Sequence, residues 1–294
     1  MGTVELPLVV GVDGSDHSIG AVDWAADEAV RLGLPLRLVY ASLWERYEGA
    51  LPFGSHERPS AMVTAQSIVA GASERVHLRH PGLKVSTETV PAEAVDALLR
   101  EGHNAAVLVT GSRGRGEVTG LLLGSVSLAV AARAHCPVIV VRGDKAGREG
   151  THERILLGVG EPATAGEAVR FAFREAEARG CTLDVVRAWR CPAHETADDP
   201  HLADDPAHDH EERASALIDA VLQDAIAEHP GVDVRRDTVE GPARKVLLSR
   251  SAAADLVIVG ARRRSGHFGL QLGRVGHMLL HHADCPVAIV PQRV

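Results

Sequence analysis

The stretch Ala134-His-Cys-Pro-Val-Ile-Val-Val141 returns near the other end of the chain as Ala283-Asp-Cys-Pro-Val-Ala-Ile-Val290. Two further pairs share nearly the same offset: His80-Pro-Gly82 with His229-Pro-Gly231, and Ala105-Ala-Val-Leu-Val-Thr-Gly111 with Asp255-Leu-Val-Ile-Val-Gly260. A period close to half the length means one folding unit used twice. Half of 294 residues is enough to bury a core of its own. Gly143 to His152 is charged and glycine-rich and reads as the linker, so the expected domains are 1–143 and 152–294.

Within each half, short β-branched runs alternate with longer helical patterns. The first half reads as strands at Leu6–Val12, Pro35–Ala41, Lys84–Val90, Ala105–Gly111 and Pro137–Arg142. Helices fall between them, near His17–Leu32, Ser60–Arg79, Ala92–Glu101 and Gly124–Ala134. The second half repeats the strands near Arg154–Val159, Thr182–Ala188, Asp233–Val239, Asp255–Gly260 and Pro286–Pro291. Steady strand–helix alternation predicts right-handed crossovers and an α/β fold, a parallel sheet covered on both faces. Composition agrees: hydrophobic residues make up 45% but aromatics only 3%, so the cores must be Val, Leu, Ile and Ala.

Net charge is −8, which argues against nucleic acid or an anionic membrane surface as partner. No run of about 18 apolar residues is present to span a bilayer, and the N-terminus lacks the pattern of a signal peptide. The expected location is the cytoplasm. The four cysteines form no C-x-x-C pair, so neither a redox motif nor a zinc knuckle is indicated. Cys191 to Glu212 is rich in His and Asp: His194, His201, His208 and His210 with Asp198, Asp199, Asp204, Asp205 and Asp209. With breaks at Pro192, Pro200 and Pro206, it reads as a solvated loop and not as a metal site.

The chemistry concentrates after two strands of the first half. Strand one ends in Gly11-Val-Asp13-Gly-Ser15, with Ser15 or Asp16 placed to cap the next helix. Asp13 sits at a carboxyl strand end, where open α/β sheets place ligands. It either accepts hydrogen bonds from a ribose or an adenine amino group, or only caps the turn. Strand four ends in Gly111-Ser-Arg-Gly114-Arg-Gly116-Glu-Val-Thr-Gly-Leu-Leu-Leu-Gly124-Ser125-Val-Ser127, a G-x2-G-x9-G-S spacing. Gly111 and Gly114 permit close backbone approach and positive φ. Gly124-Ser125 opens a helix whose N-terminus suits phosphate oxygens, with Ser125 and Ser127 adding hydroxyl donors.

On these motifs the chain resembles the universal stress protein family in its tandem form, over essentially its whole length. The resemblance implies a five-stranded parallel sheet of order 3-2-1-4-5 in each half. It implies ATP as cofactor, with Mg2+ carried on the phosphates. It puts Asp13 and the backbone around Ala41 on the nucleoside, Gly111 and Gly114 against ribose and phosphates, and Gly124, Ser125, Val126 and Ser127 on the phosphates. The function it implies is a stress-response regulator acting through nucleotide-dependent conformation or partner binding. A slow ATPase and an interaction protein without turnover are the alternatives. No Walker A loop, nucleophile elbow or kinase signature is present, so a binding module is read before an enzyme.

The second half departs from the pattern. Val159-Gly160-Glu161 replaces Val12-Asp13-Gly14, Arg263 replaces the second loop glycine, and Arg274 replaces the serine. Either the site is lost or the arginines have converted it to bind another anion; loss is the reading taken, giving one ATP per chain.

The expected partners are an adenine nucleotide and a protein of unstated identity. Pro137–Arg142 and Pro286–Pro291 are short, apolar and last in their sheets, and exposed edges need covering. The resemblance implies the same pseudo-two-fold pairing, within one chain, with a homodimer as a further form. Solution scattering should therefore give a compact particle; a profile of two separated halves would contradict the pairing.

Overall fold

A computed structural model of the chain describes residues 5–41, 43, 57–114, 123–162, 165–191, 206–262 and 272–292. The chain divides into two compact units, Met1–Arg142 and Gly143–Val294. Unit one runs β1 (Leu8–Gly11), α1 (Asp16–Leu32), β2 (Leu36–Ala41), α2 (Glu57–Arg79), β3 (Val85–Val90), α3 (Ala94–Glu101), β4 (Val107–Gly111), α4 (Ser125–Arg133) and β5 (Val138–Val141). Its strands lie in the order β3-β2-β1-β4-β5, every neighbouring pair parallel. The implied order 3-2-1-4-5 is therefore the observed one.

Unit two opens with a short helix, α5 (Lys145–Glu149), inside the segment read as a linker. Asp144 caps it by accepting from the Gly147 N–H at 2.8 Å. Gly143, at φ 87°, seats the segment so closely on Asp284 that a Cβ would lie 2.1 Å from its carbonyl oxygen. The segment read as a linker thus holds a capped helical turn seated on unit two. The repeat follows as β6 (Arg154–Gly158), α6 (Gly166–Arg179), β7 (Thr182–Trp189), α7 (Pro206–Glu228), β8 (Val234–Glu240), α8 (Ala243–Ser251), β9 (Leu256–Ala261), α9 (Arg274–His282) and β10 (Val287–Pro291). Its order, β8-β7-β6-β9-β10, copies unit one.

Buried strands explain the core. Leu8, Val9, Val10, Leu108 and Val109 are fully buried, as parallel strands covered on both faces require. Helix α1 packs through Ala21, Ala25, Ala26 and Ala29, whose small side chains let it lie close to the sheet. Ser15 is its N-cap, accepting from the Ser18 N–H at 3.2 Å, and Gly33 in the left-handed region ends it. Unit two uses a buried carboxylate instead of an alanine at one seam. Asp255 accepts from the His152 N–H at 2.9 Å and the Arg154 N–H at 3.1 Å, fixing the start of β6.

Helix α7 corrects another expectation. Pro206 begins it, so His208, Asp209, His210 and Glu212 are helical, and His208 pairs with Glu212 one turn on at 3.1 Å. Proline suits a first helical position, where its missing N–H has no partner to lose. His194, Asp198, Asp199, His201, Asp204 and Asp205 lie outside the described residues. Among the described residues no group of three or more His, Cys, Asp or Glu is placed to hold a metal. No described helix is long and apolar enough to cross a membrane. Burial pushes the Cys136 thiol up to about 11, the mark of a packing residue and not a nucleophile.

A two-rung ladder ties α1 to α2. Arg75 grips Asp23 through two bonds of 2.5 and 2.7 Å, and Arg79 grips Asp27 through two of 2.6 and 2.7 Å. His80 adds a third contact to Asp27 at 2.7 Å. Burial raises the Asp27 carboxyl, but hydrogen bonds from Arg79 and His80, with the charges of Arg79 and Arg31, outweigh it and leave it below the usual value. A depressed carboxyl stabilises the fold above its unfolded pKa of about 3.9 and loses that contribution as pH falls through its folded value. Asp27→Asn should therefore be less stable than the parent near neutral pH, the gap closing below about pH 4. Urea unfolding at a series of pH values measures this, and a gap constant with pH would contradict it.

Candidate functional site

The chain leaves β1 for β2 and β3 on one side, then crosses to β4 on the other. Connections diverging from neighbouring strands leave a crevice at their carboxyl ends. In unit one this crevice is a cavity of about 340 Å³, within the range of about 300–1,000 Å³ usual for small-molecule sites. Asp13, Ala41, Gly111, Gly114, Gly124, Ser125, Val126 and Ser127 all line it. Eight positions read from motifs more than a hundred residues apart in places thus meet at one surface. Sequence reasoning missed the apolar wall of Val39, Ala94 and Leu98 and the exposed Arg113 at the mouth. Apolar residues at the ends of β2 and α3 carry no motif that marks them.

The Asp13 carboxylate divides its two oxygens. Oδ1 accepts from the Ser15 N–H at 2.9 Å and the Ser15 hydroxyl at 2.6 Å, closing the turn. Gly14 makes that turn with φ 82°, so the positive φ of this site lies here. Ser18 completes the turn, accepting from the Gly14 N–H at 3.1 Å and donating to the Ser15 carbonyl at 2.9 Å. Oδ2 lies beside the β4 loop, where a Cβ on Gly114 would come within 2.7 Å of it. Glycine at 114 leaves this space to the carboxylate.

Neither Gly111 nor Gly114 adopts a left-handed φ, contrary to the expectation. Gly111 has a different reason to lack a side chain. A Cβ there would lie 2.5 Å from the carbonyl oxygen of His17, in the first turn of α1. Its backbone lines the cavity, but the close approach is to α1. Ser127 secures the same point from the other side: its hydroxyl donates to the Gly111 carbonyl at 2.6 Å, and it is buried. That proton is committed to the protein, so Ser127 offers a ligand its backbone N–H and oxygen lone pairs and no hydroxyl donor. Gly124 meets its neighbours at 3.6 Å or more from an added Cβ, ordinary contact. It is the N-cap of α4, without a side-chain cap hydrogen bond. The first helical bond of α4 runs from the Leu128 N–H to the Gly124 carbonyl at 3.1 Å, so the amides of Ser125, Val126 and Ser127 precede it.

Unit two has the corresponding crevice, and it is larger, about 610 Å³. The residue in place of Asp13 is Gly160, whose carbonyl accepts from the Arg187 guanidinium. Glu161 lies 3.7 Å from the same guanidinium. Arg274 opens α9 and lines the cavity with Arg262; Arg263 lies outside the described residues.

These contacts separate fold from ligand. Gly111→Ala should destabilise unit one by about 1–3 kcal/mol, the cost of overpacking. Gly124→Ala should change stability by no more than about 0.5 kcal/mol. Thermal unfolding distinguishes them, and equal losses would contradict the assignment of Gly111 to the α1 contact.

Comparison with known proteins matches this architecture. The universal stress protein family matches residues 7–142 and 151–291. A universal stress protein of Mycobacterium tuberculosis (strain ATCC 25618 / H37Rv) is 32% identical over 295 residues, covering 97% of each chain. The crystal structure of a universal stress protein from Archaeoglobus fulgidus DSM 4304 superposes with a TM-score of 0.70 at 16% identity, covering 99% of this chain and 100% of its own. A universal stress protein solved in complex with cAMP is 29% identical, with a TM-score of 0.36, covering 48% of this chain and 98% of its own. With the strand order, the repeated crevice and this match over both halves in hand, the chain belongs to the universal stress protein family, as a tandem member.

Proposed function

We propose that unit one binds one ATP, and that the protein is a stress-response regulator whose nucleotide state alters its conformation or its grip on a protein partner. The observation that carries this reading is the pairing, across one cavity, of the Asp13 carboxylate with the uncapped N-terminus of α4. An acceptor at one end and a fan of amides at the other match a nucleoside joined to phosphates.

The apolar wall of Val39, Ala94 and Leu98 suits an adenine face, and Ala41, which lines the same cavity, offers backbone to its edge on this reading. Asp13 accepts from the ribose. The amides of Ser125, Val126 and Ser127, with the positive end of the α4 dipole, receive the phosphates. Arg113 stands exposed at the mouth, where it adds a cation. Mg2+ would enter on the phosphates. Turnover is slow on this reading: among the described lining residues Asp13 is the sole carboxylate, and Ser15 holds its Oδ1.

Unit two lacks the acceptor. Losing a charged hydrogen bond costs about 1.5–3 kcal/mol, roughly a 10- to 100-fold loss of affinity. Calorimetric titration of the full chain should give close to one tight ATP, and Asp13→Ala should weaken it by that factor. Gly124→Ala should also weaken it while leaving the fold intact. Parent-like affinity in Asp13→Ala would remove this site. A steady-state rate above about 1 per second would favour the ATPase alternative.

A further inference from the structure

The crevice of unit two is wide open at the position where a lost site would be expected to fill in. Helices α1 and α6 end alike, at Gly33 and Gly180 in the left-handed region, but α1 has 17 residues and α6 only 14. Ahead of α6 the Ala165 N–H donates to the Pro162 carbonyl at 3.1 Å, a turn that leads directly into the helix. Gly276 stands in place of Ser127, so the hydroxyl that ties Gly111 down in unit one has no counterpart, and Gly260 is exposed where Gly111 is buried. The cavity extends along α6 to Ala168 and Val169 and reaches about 610 Å³.

Its chemistry is sorted by depth. Leu157, Val169, Leu247, Val259 and Ile289 form the interior, all apolar and buried. Among the described lining residues the charged ones are Glu161, Arg262 and Arg274, all exposed and so at the mouth. Glu161 is next to Arg187. Arg262 and Arg274 make no ion pair or hydrogen bond among the described residues. Arg274 stands at the first position of α9, where a cation opposes the helix dipole by about 0.3–1 kcal/mol unless an anion is present. Two guanidiniums without an ion pair among the described residues, at the mouth of an apolar cavity and one of them set against a dipole, fit a doubly charged ligand group. Arginine grips phosphate through two parallel bonds.

We infer that unit two is a site for a phosphomonoester with an apolar body, and not for a nucleotide. Gly160 puts no carboxylate where Asp13 stands in unit one, the Glu161 carboxylate lies beside the Arg187 guanidinium, and the apolar interior takes a hydrocarbon or aromatic body. A phosphate monoester is largely a dianion at neutral pH, its second pKa being about 6, which matches two arginines better than a carboxylate does. This inference stands apart from the ATP site of unit one.

Titration calorimetry of the full chain with 1-naphthyl phosphate, inorganic phosphate and 1-naphthol tests it. The expected result is one naphthyl phosphate per chain, bound at least tenfold more tightly than inorganic phosphate or naphthol, because body and head are both used. Arg274→Ser and Arg262→Ala should each weaken it at least tenfold. Both side chains are exposed, so unchanged thermal unfolding confirms that the fold is intact. Asp13→Ala, or saturation with ATP, should leave it unaltered, which separates this outcome from failure of the ATP site. No binding of naphthyl phosphate, affinity that survives Arg274→Ser, or displacement by ATP would each overturn the inference.

Discussion

Where β4 ends, the Gly111 backbone lies so near the His17 carbonyl that no side chain fits between them, and the Ser127 hydroxyl holds the Gly111 carbonyl from the opposite helix. The arrangement fixes α1, β4 and α4 to one another at the carboxyl edge of the sheet. Everything in the unit-one site follows from that clamp. It brings the Asp13 turn beside Gly114, and it sets the first turn of α4 over the crevice. A side chain at 111 would part α1 from β4 at the edge where Asp13 and the first turn of α4 line one cavity.

Unit two shows what the same sheet does without the clamp. Strand order and parallel pairing are kept, because apolar strands and helix caps specify them independently of the ligand edge. The edge itself differs. Glycine in place of serine on α9 and glycine in place of aspartate after β6 accompany a wider crevice with arginines at its mouth. A duplicated fold can thus keep one crevice polar at both ends while the other becomes apolar within and cationic outside.

Much of this was legible in the sequence. The paired Cys-Pro strands and the alternation of short and long apolar patterns carried the fold, since the period of side-chain burial is a direct product of strand and helix geometry. That Asp13, Gly111, Gly114, Gly124 and Ser125 meet at one crevice was legible because carboxyl strand ends and helix N-termini converge there in an open α/β sheet. The reasons for individual glycines were not. Positive φ was expected at Gly111 and Gly114 but falls at Gly14, and Gly111 answers to a helix turn more than ninety residues away in sequence, which only tertiary packing reveals. One segment reads differently because proline is an ambiguous breaker: Pro206 begins a helix and does not interrupt one. The linker read from glycine and charge holds a short capped helix, Lys145–Glu149. The apolar walls of both cavities escaped because a buried leucine or valine carries the same signature whether it faces a core or a ligand.

The claim that unit one selects an adenine nucleotide is tested most directly by the protein's own choice. The full chain is incubated with an equimolar mixture of ATP, GTP, CTP and UTP, desalted rapidly and denatured, and the released nucleotide is identified by mass spectrometry. The account predicts adenine nucleotide in marked excess, close to one per chain. Equal capture of all four nucleotides, or two ATP per chain, would contradict it.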